Sequence, residues 1–307
     1  MKSIKDRYWK RPLPFIQTDL LGEQAKKFKI APEIVQLLHN RGIKNTEQIK
    51  SFLYPTLQDL SSPSSMSGIS EAAEIIYGII ENDGDIIIWG DYDVDGVTAT
   101  SLLVLFFRNI TQNIKWFIPN RFTHGYGLHR PELKEIIEKC EAKNIVLITV
   151  DCGISNHHEI QLARTMGCKV IVTDHHEPGD IPVEADVIIN PKQKNCSFKD
   201  ENLSGVGLAF YLAAGIRSLY RSKRNPLSQV SDINLKKYLD LVAIGTIADM
   251  VSLQGCNRIL VKAGFEIINS KPNPGIAALM AECDIRSGNI NAEDIGFQIA
   301  PKINAAG

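Results

Sequence analysis

The sequence carries almost no net charge: 34 basic and 35 acidic side chains leave −1 at pH 7. That argues against a protein coated in basic surface, so a nucleic-acid partner would have to meet a local basic groove. It also lacks any Cys-x-x-Cys pair. Cys140, Cys152, Cys168, Cys196, Cys256 and Cys283 are scattered, which speaks against a zinc ribbon or a thioredoxin-type site. With the polar, basic start MKSIKDRYWKRPLP in place of a secretory leader, they point to a reducing, cytoplasmic home. No apolar run approaches the ~18 residues a membrane span needs. Internal repeats and long low-complexity tracts are absent as well. What remains is a 307-residue chain, 44% hydrophobic and 22% charged, the profile of a soluble globular protein. At roughly 150 residues per domain it has room for about two.

Residues 1–70 read as a helical lead-in. EQAKKFKIAPEIVQLLHNRG has apolar residues at helical spacing, and NTEQIKSFL opens on a capping Asn or Thr. The Ser/Pro/Gly-rich SSPSSMSGIS at 61–70 predicts a linker. From residue 71 to 253, β-branched runs (DIIIWG, IKWFIP, NIVLITV, KVIVT, ADVIIN) alternate with helical stretches. That alternation predicts an α/β domain, a parallel sheet with helices on both faces. Two helical stretches follow the sheet, GVGLAFYLAAGIRSLY and LKKYLDLVAIGTIADMV, separated by the polar RSKRNPLSQVSD. Residues 254–307 read as a connecting helical region, and the closing APKINAAG carries no capping residue or charged tail, as though cut short.

Chemistry concentrates in GDYDVDG, where Asp91, Asp93 and Asp95 alternate before a glycine. The pattern matches the opening of an EF-hand loop, but the twelfth position is Leu102 where a bidentate Glu is required, and a strand, not a helix, leads into it. A parallel sheet offers a better account, because its ligands bind beyond the carboxyl ends of the strands. DIIIWG delivers Asp91, Asp93 and Asp95 there, NIVLITV delivers Asp151, and KVIVT delivers Asp174, His175 and His176. Acids gathered at one edge repel one another unless a cation neutralises them. Oxygen-rich sites with an imidazole or two suit Mn²⁺ or Mg²⁺, and the number of acids allows two ions. Asp249, within the apolar VAIGTIADMVSL, needs a partner too; a metal, a salt bridge or a cap would serve. Each acid alone could be a helix N-cap. His157-His158 opens a helix and is left outside the site.

These residues resemble the DHH phosphoesterase superfamily, named for the Asp-His-His that stands here at 174–176, and within it the branch of single-strand-specific 5′→3′ exonucleases. The resemblance runs along nearly the whole chain, in order: GDYDVDG at 90–96, PNRFTHGYGL at 119–128, TVDCGIS at 149–155, VTDHHEP at 172–178, LSGVGLAF at 203–210, AIGTIADMVSL at 243–253 and APKINAAG at 300–307. It implies Asp93, Asp95, Asp151, His175 and Asp249 as ligands of two Mn²⁺ or Mg²⁺ ions, with Asp151 bridging. Asp91 would be a supporting acid and His176 a phosphate contact. Arg121 is implied as a phosphate clamp. Ser204, Gly205 and Gly207 sit at a helix start where backbone N–H groups either hold a phosphate or form a simple N-cap turn. Asn304 would lie near the scissile phosphate.

The activity implied is hydrolysis of phosphodiester bonds by water acidified at the metals, in DNA repair and recombination. Single-stranded DNA would be the substrate, and a single-strand-binding protein or helicase would be a partner. Two departures stand out. Relatives that cleave pyrophosphate or short oligonucleotides carry a histidine where this chain has Trp89, which speaks against those branches. The exonuclease branch continues past NAAG into a second catalytic domain and an OB-fold that this sequence lacks, so 254–307 is expected to be the start of a truncated second domain. A phosphoesterase acting on short oligonucleotides, cyclic dinucleotides or pyrophosphate, and a non-catalytic DNA- or replisome-binding fragment, remain as alternatives.

Overall fold

The computed structural model describes residues 19–223, 228–286 and 288–306. The amino-terminal MKSIKDRYWKRPLP, the centre of RSKRNPLSQVSD and the final glycine of APKINAAG lie outside the described residues. The chain forms two compact units, Met1–Asp59 and Leu60–Gly307.

In the first unit, α1 (Asp19–Phe28), α2 (Pro32–Asn40) and α3 (Thr46–Leu53) bury one stripe each. Leu21, Ala25, Phe28, Val35, Leu38, Ile43 and Ile49 make their shared core. The first predicted helical stretch is two helices, because Lys29 turns into the left-handed region (φ 54°) and Pro32 starts a new helix. Asn45 and Gln48 form the capping box that begins α3.

The second unit begins at Leu60 and takes in the whole stretch predicted as a linker. Met66 and Ile69 are buried, and Ser65 and Ser67 are hydrogen-bonded to Ser197 and Asn195. The two apolar side chains among the serines draw the segment onto the domain. From there the order is α4 (Ile69–Glu81), β1 (Asp85–Trp89), α5 (Val94–Phe107), β2 (Ile114–Phe117), α6 (Arg130–Glu138), β3 (Ile145–Val150), α7 (His157–Thr165), β4 (Cys168–Thr173) and β5 (Val187–Ile189). There follow α8 (Gly205–Ser222), a short α9 (Ser228–Ser231), α10 (Leu239–Ala248), α11 (Gly255–Ser270), α12 (Pro274–Glu282), a single turn α13 (Ala292–Asp294) and α14 (Ala300–Ala306). Residues 254–307, expected to begin a separate domain, fall in the same compact unit as the sheet. No described helix is long and apolar enough to cross a membrane.

All five strands pair in parallel in the order β2-β1-β3-β4-β5. The fold class is that predicted, a doubly wound α/β sheet. Period-two alternation divides its side chains between two cores. Ile87, Trp89, Leu147, Val170 and Val172 face a cluster with Leu133, Ile136 and Ile137 of α6 and Ile160 of α7. On the other side α5, mostly apolar and largely buried, packs on α8 and α10. The order reverses between β1 and β3, and in such sheets the crevice beyond the strand ends at that reversal is the place for a ligand.

Candidate metal centre

The acids of GDYDVDG fall beyond the end of β1, at that reversal. Asp93 is the N-cap of α5, with one carboxylate oxygen accepting from the Gly96 N–H at 3.0 Å. Capping and metal ligation, alternatives in the sequence, are compatible here because a carboxylate has a second oxygen. Asp151 follows β3 directly in the left-handed conformation (φ 62°), an uncommon state for a residue other than glycine. Next along, Asp174, His175 and His176 leave β4. Asp249 closes α10, so the carboxylate that looked misplaced in an apolar run stands at its end.

These groups converge. His175 Nε2 lies 3.0 Å from Asp151 Oδ1, 3.7 Å from Asp249 Oδ2 and 3.9 Å from Asp95 Oδ2. Three sets of ligand atoms each lie within 4.8 Å of one another: Asp91, Asp93 and Asp151; Asp151, His175 and His176; Asp95, His175 and Asp249. Asp151 and His175 each belong to two of these sets. Asp91, expected as a supporting acid, falls in one of these sets, with a carboxylate oxygen within 4.8 Å of those of Asp93 and Asp151.

The decisive feature is what these atoms lack. Asp91 Oδ1, Asp151 Oδ1, His175 Nε2 and Asp249 Oδ2 are buried with no hydrogen-bond partner. Three carboxylate oxygens and an imidazole nitrogen are crowded together away from water, an arrangement that costs free energy unless something positive stands between them. Burial, reinforced by neighbouring charge, pushes the carboxyls of Asp95 and Asp151 far above the ordinary range. It raises those of Asp91 and Asp249 to about 6. Burial and the adjacent His176 lower His175 to about 4, so its imidazole is neutral and can offer a lone pair. Hard oxygens and one neutral imidazole suit Mn²⁺ or Mg²⁺.

The site has a supporting frame that the sequence did not disclose. Asp95 accepts from the N–H groups of Gly205 and Val206 at 2.6 and 2.8 Å, so the start of α8 holds a carboxylate. This corrects the expectation for Ser204, Gly205 and Gly207. Ser204 caps α8 through the Gly207 N–H and bonds Thr246 at 2.7 Å, and it is fully buried. All three are buried, and the N–H groups of Gly205 and Gly207 are already taken, by Asp95 and by the Ser204 cap. Gly205 is also needed for closeness, since a Cβ there would meet Asp151 Cβ and Oδ1 at 2.7 Å.

Asp174 is an orienter. It accepts from Ile154 N–H, from His176 N–H and, at 2.7 Å, from His176 Nδ1. Burial would raise its carboxyl, but these bonds outweigh burial and hold it low. The same bond raises His176, whose half-exposed ring therefore tends to keep its proton.

The PNRFTHGYGL loop stands beside these histidines, with Tyr126 Oη 3.3 Å from His176 Nδ1. Arg121 is exposed and stacks 4.6 Å over the Tyr92 ring. Asn304 is on α14, which packs against α5, and its Oδ1 is buried and unpartnered. Lys192, paired with Glu177 at 3.0 Å, lends positive charge to Asp249 and His175. Tyr92, Tyr126 and Lys192 escaped the sequence reading. Only Tyr126 carried a local signal, its place between two glycines.

Residues 85–246 match the family model described as the DHH family, N-terminal domain. The chain belongs to the DHH family. Among curated proteins this DHH chain is 38% identical over 287 residues to the single-stranded-DNA-specific exonuclease RecJ of Escherichia coli K12, covering 91% of this chain and 48% of that one. It is 36% identical to RecJ of Bacillus subtilis, covering 94% and 35%. The chain thus spans about half the length of the curated relatives it matches, or less. Among solved structures it is similar to exonuclease RecJ bound to manganese, with a TM-score of 0.66 at 34% identity over 78% of this chain and 57% of that one. RecJ of Thermus thermophilus in complex with Mn²⁺ gives 0.72 at 30% identity, over 94% and 39%.

Proposed function

We propose that this chain carries the metal-binding part of a phosphodiesterase centre and hydrolyses single-stranded DNA from its 5′ end. The observation that carries the reading is the set of four buried, unpartnered ligand atoms supplied just beyond the ends of β1, β3, β4 and α10, in neighbouring clusters linked through Asp151 and His175. The RecJ relatives, named as single-stranded-DNA-specific exonucleases and solved with Mn²⁺ or Mg²⁺, support the substrate and the metals.

Asp91, Asp93, Asp95, Asp151, His175 and Asp249 would hold two divalent ions, with Asp151 shared. Bound there, the ions would acidify a water and offset charge on the phosphoryl oxygens. The protein's own part is preorganisation. Asp95 is fixed by α8 and Asp93 by α5, so the ligands do not have to be gathered when an ion arrives. Asp174 orients His176 through Nδ1, leaving Nε2 to give a charged hydrogen bond to a phosphate oxygen. Arg121, in reach of solvent beside Tyr92, would clamp a second phosphate. The wider partners of such an enzyme, a single-strand-binding protein or a helicase, and a cytoplasmic setting with a role in repair, belong to the same proposal.

The test is release of mononucleotides from 5′-phosphorylated single-stranded DNA with Mn²⁺, beside Asp151→Asn and a separate titration of Mn²⁺ binding. Turnover by the wild type that the variant loses is expected. Tight Mn²⁺ binding with no turnover would leave a metal-binding DNA module in place of a nuclease.

A further inference from the structure

Trp89 is the last residue of β1, two positions before Asp91. Its side chain lies in the core between the sheet and α6, fully buried, with its ring 4.3 Å from that of Phe117. A Phe or Leu would serve such packing as well. The indole does something more: Nε1 donates to the carbonyl of Gly127 at 3.2 Å, in a buried hydrogen bond across 38 residues. Gly127 is the second glycine of HGYG, in the left-handed region (φ 88°), and a Cβ there would meet Asn156 at 2.8 Å. The residue before it is Tyr126, whose hydroxyl reaches His176. The loop's other internal bonds are local: Asn120 gathers Phe122 and Thr123 at its turn, and His129 bonds Gly125.

We propose that Trp89 is a positioning residue, whose indole N–H tethers the 119–128 loop to the strand that carries the metal-binding acids. The backbone of β1 leads into Asp91 and Asp93 while its final side chain fixes the loop bearing Arg121 and Tyr126. One strand end thereby sets the distance between the metals' ligands and the groups beside them. The consequence for substrate handling rests on the phosphodiesterase reading; the tether itself does not.

Two substitutions separate the N–H from the bulk. Trp89→Phe keeps an aromatic ring and removes the donor, leaving a buried carbonyl unsatisfied. Trp89→His loses the benzo ring but can place Nε2–H where the indole N–H was. Three measurements on the full chain decide: amide hydrogen exchange across 120–128, Mn²⁺ affinity, and KM and kcat on a 5′-phosphorylated oligothymidylate. In Trp89→Phe we expect exchange in the loop to rise about tenfold and KM to rise by a similar factor. Mn²⁺ affinity, kcat and exchange in β1 and β3 should stay as in wild type, and Trp89→His should retain slow loop exchange and low KM. Unchanged loop exchange in Trp89→Phe would overturn the tether. So would faster exchange in both variants alike, which would assign the effect to lost packing. Faster loop exchange with unchanged KM would overturn the positioning role. If the wild type does not turn over the oligothymidylate, the nuclease reading falls, and loop exchange in the two variants still decides the tether.

Discussion

Adding one methyl group at Gly205 tests whether the centre is held by close packing. An alanine there would place its Cβ 2.7 Å from Asp151 Cβ and Oδ1 and 2.8 Å from Cγ. Contacts that short are not tolerated, so either the carboxylate or the start of α8 must move. Helix propensity works the other way, favouring alanine by about 1 kcal/mol at most. Overpacking a rigid core costs about 1–3 kcal/mol. If α8 retreats, the two bonds from Gly205 and Val206 to Asp95 weaken as well, and a hydrogen bond is worth about 0.5–1.5 kcal/mol net. The net expectation for Gly205→Ala is a loss of about 1–3 kcal/mol in the metal-free protein, read by urea unfolding. Moving Asp151 should also weaken Mn²⁺ binding by about ten- to a hundredfold, as for other changes behind a metal ligand, read by calorimetric titration. A Gly205→Ala protein as stable as wild type, with unchanged Mn²⁺ affinity, would refute the claim that this glycine exists for the approach of α8 to Asp151.

Two further outcomes follow from charge. The Asp91 and Asp249 carboxyls, raised to about 6 in the metal-free protein, stabilise the fold when protonated, and that stability is lost as pH rises through about 6. Metal-free protein should therefore melt at a higher temperature at pH 5 than at pH 7.5, saturating Mn²⁺ should raise the melting temperature most at the higher pH, and the opposite slope would count against the acid cluster. Asp85 has the other sign: burial would raise it, but bonds from Lys115, Glu141 and Ala142 at 2.9–3.0 Å outweigh burial and hold its carboxyl low. Asp85→Ala should cost about 2–3 kcal/mol near neutral pH. The gap to wild type should narrow as pH falls below about 4, which unfolding curves at pH 3.5 and 7 would show.

The strands were legible because five short runs rich in β-branched and aliphatic residues alternate with helical stretches, four of them ended by an acid, glycine or Asn and IKWFIP by proline, a pattern suited to a buried parallel sheet. That fixed which ends carry Asp91, Asp93, Asp95, Asp151 and His175, and so where a cation could bind. Periodicity acts over a few residues, and the acids needed nothing longer to be placed on one edge.

What α8 does with its free N–H groups could not be read that way. Ser-Gly-Val-Gly at a helix start suits a phosphate or a carboxylate equally, and the choice of Asp95 is made by a contact spanning 110 residues. The same limit hid the role of Trp89, since an indole in a strand reads as core until Gly127 is found at its N–H. It also hid the inclusion of 61–70 in the second unit, where two buried apolar side chains outweigh a linker's composition. Local sequence determined which chemical groups lie at the strand ends. Only tertiary packing decided which of their atoms are already partnered, and an atom is free to bind an ion or a phosphate only when nothing else in the fold has reached it first.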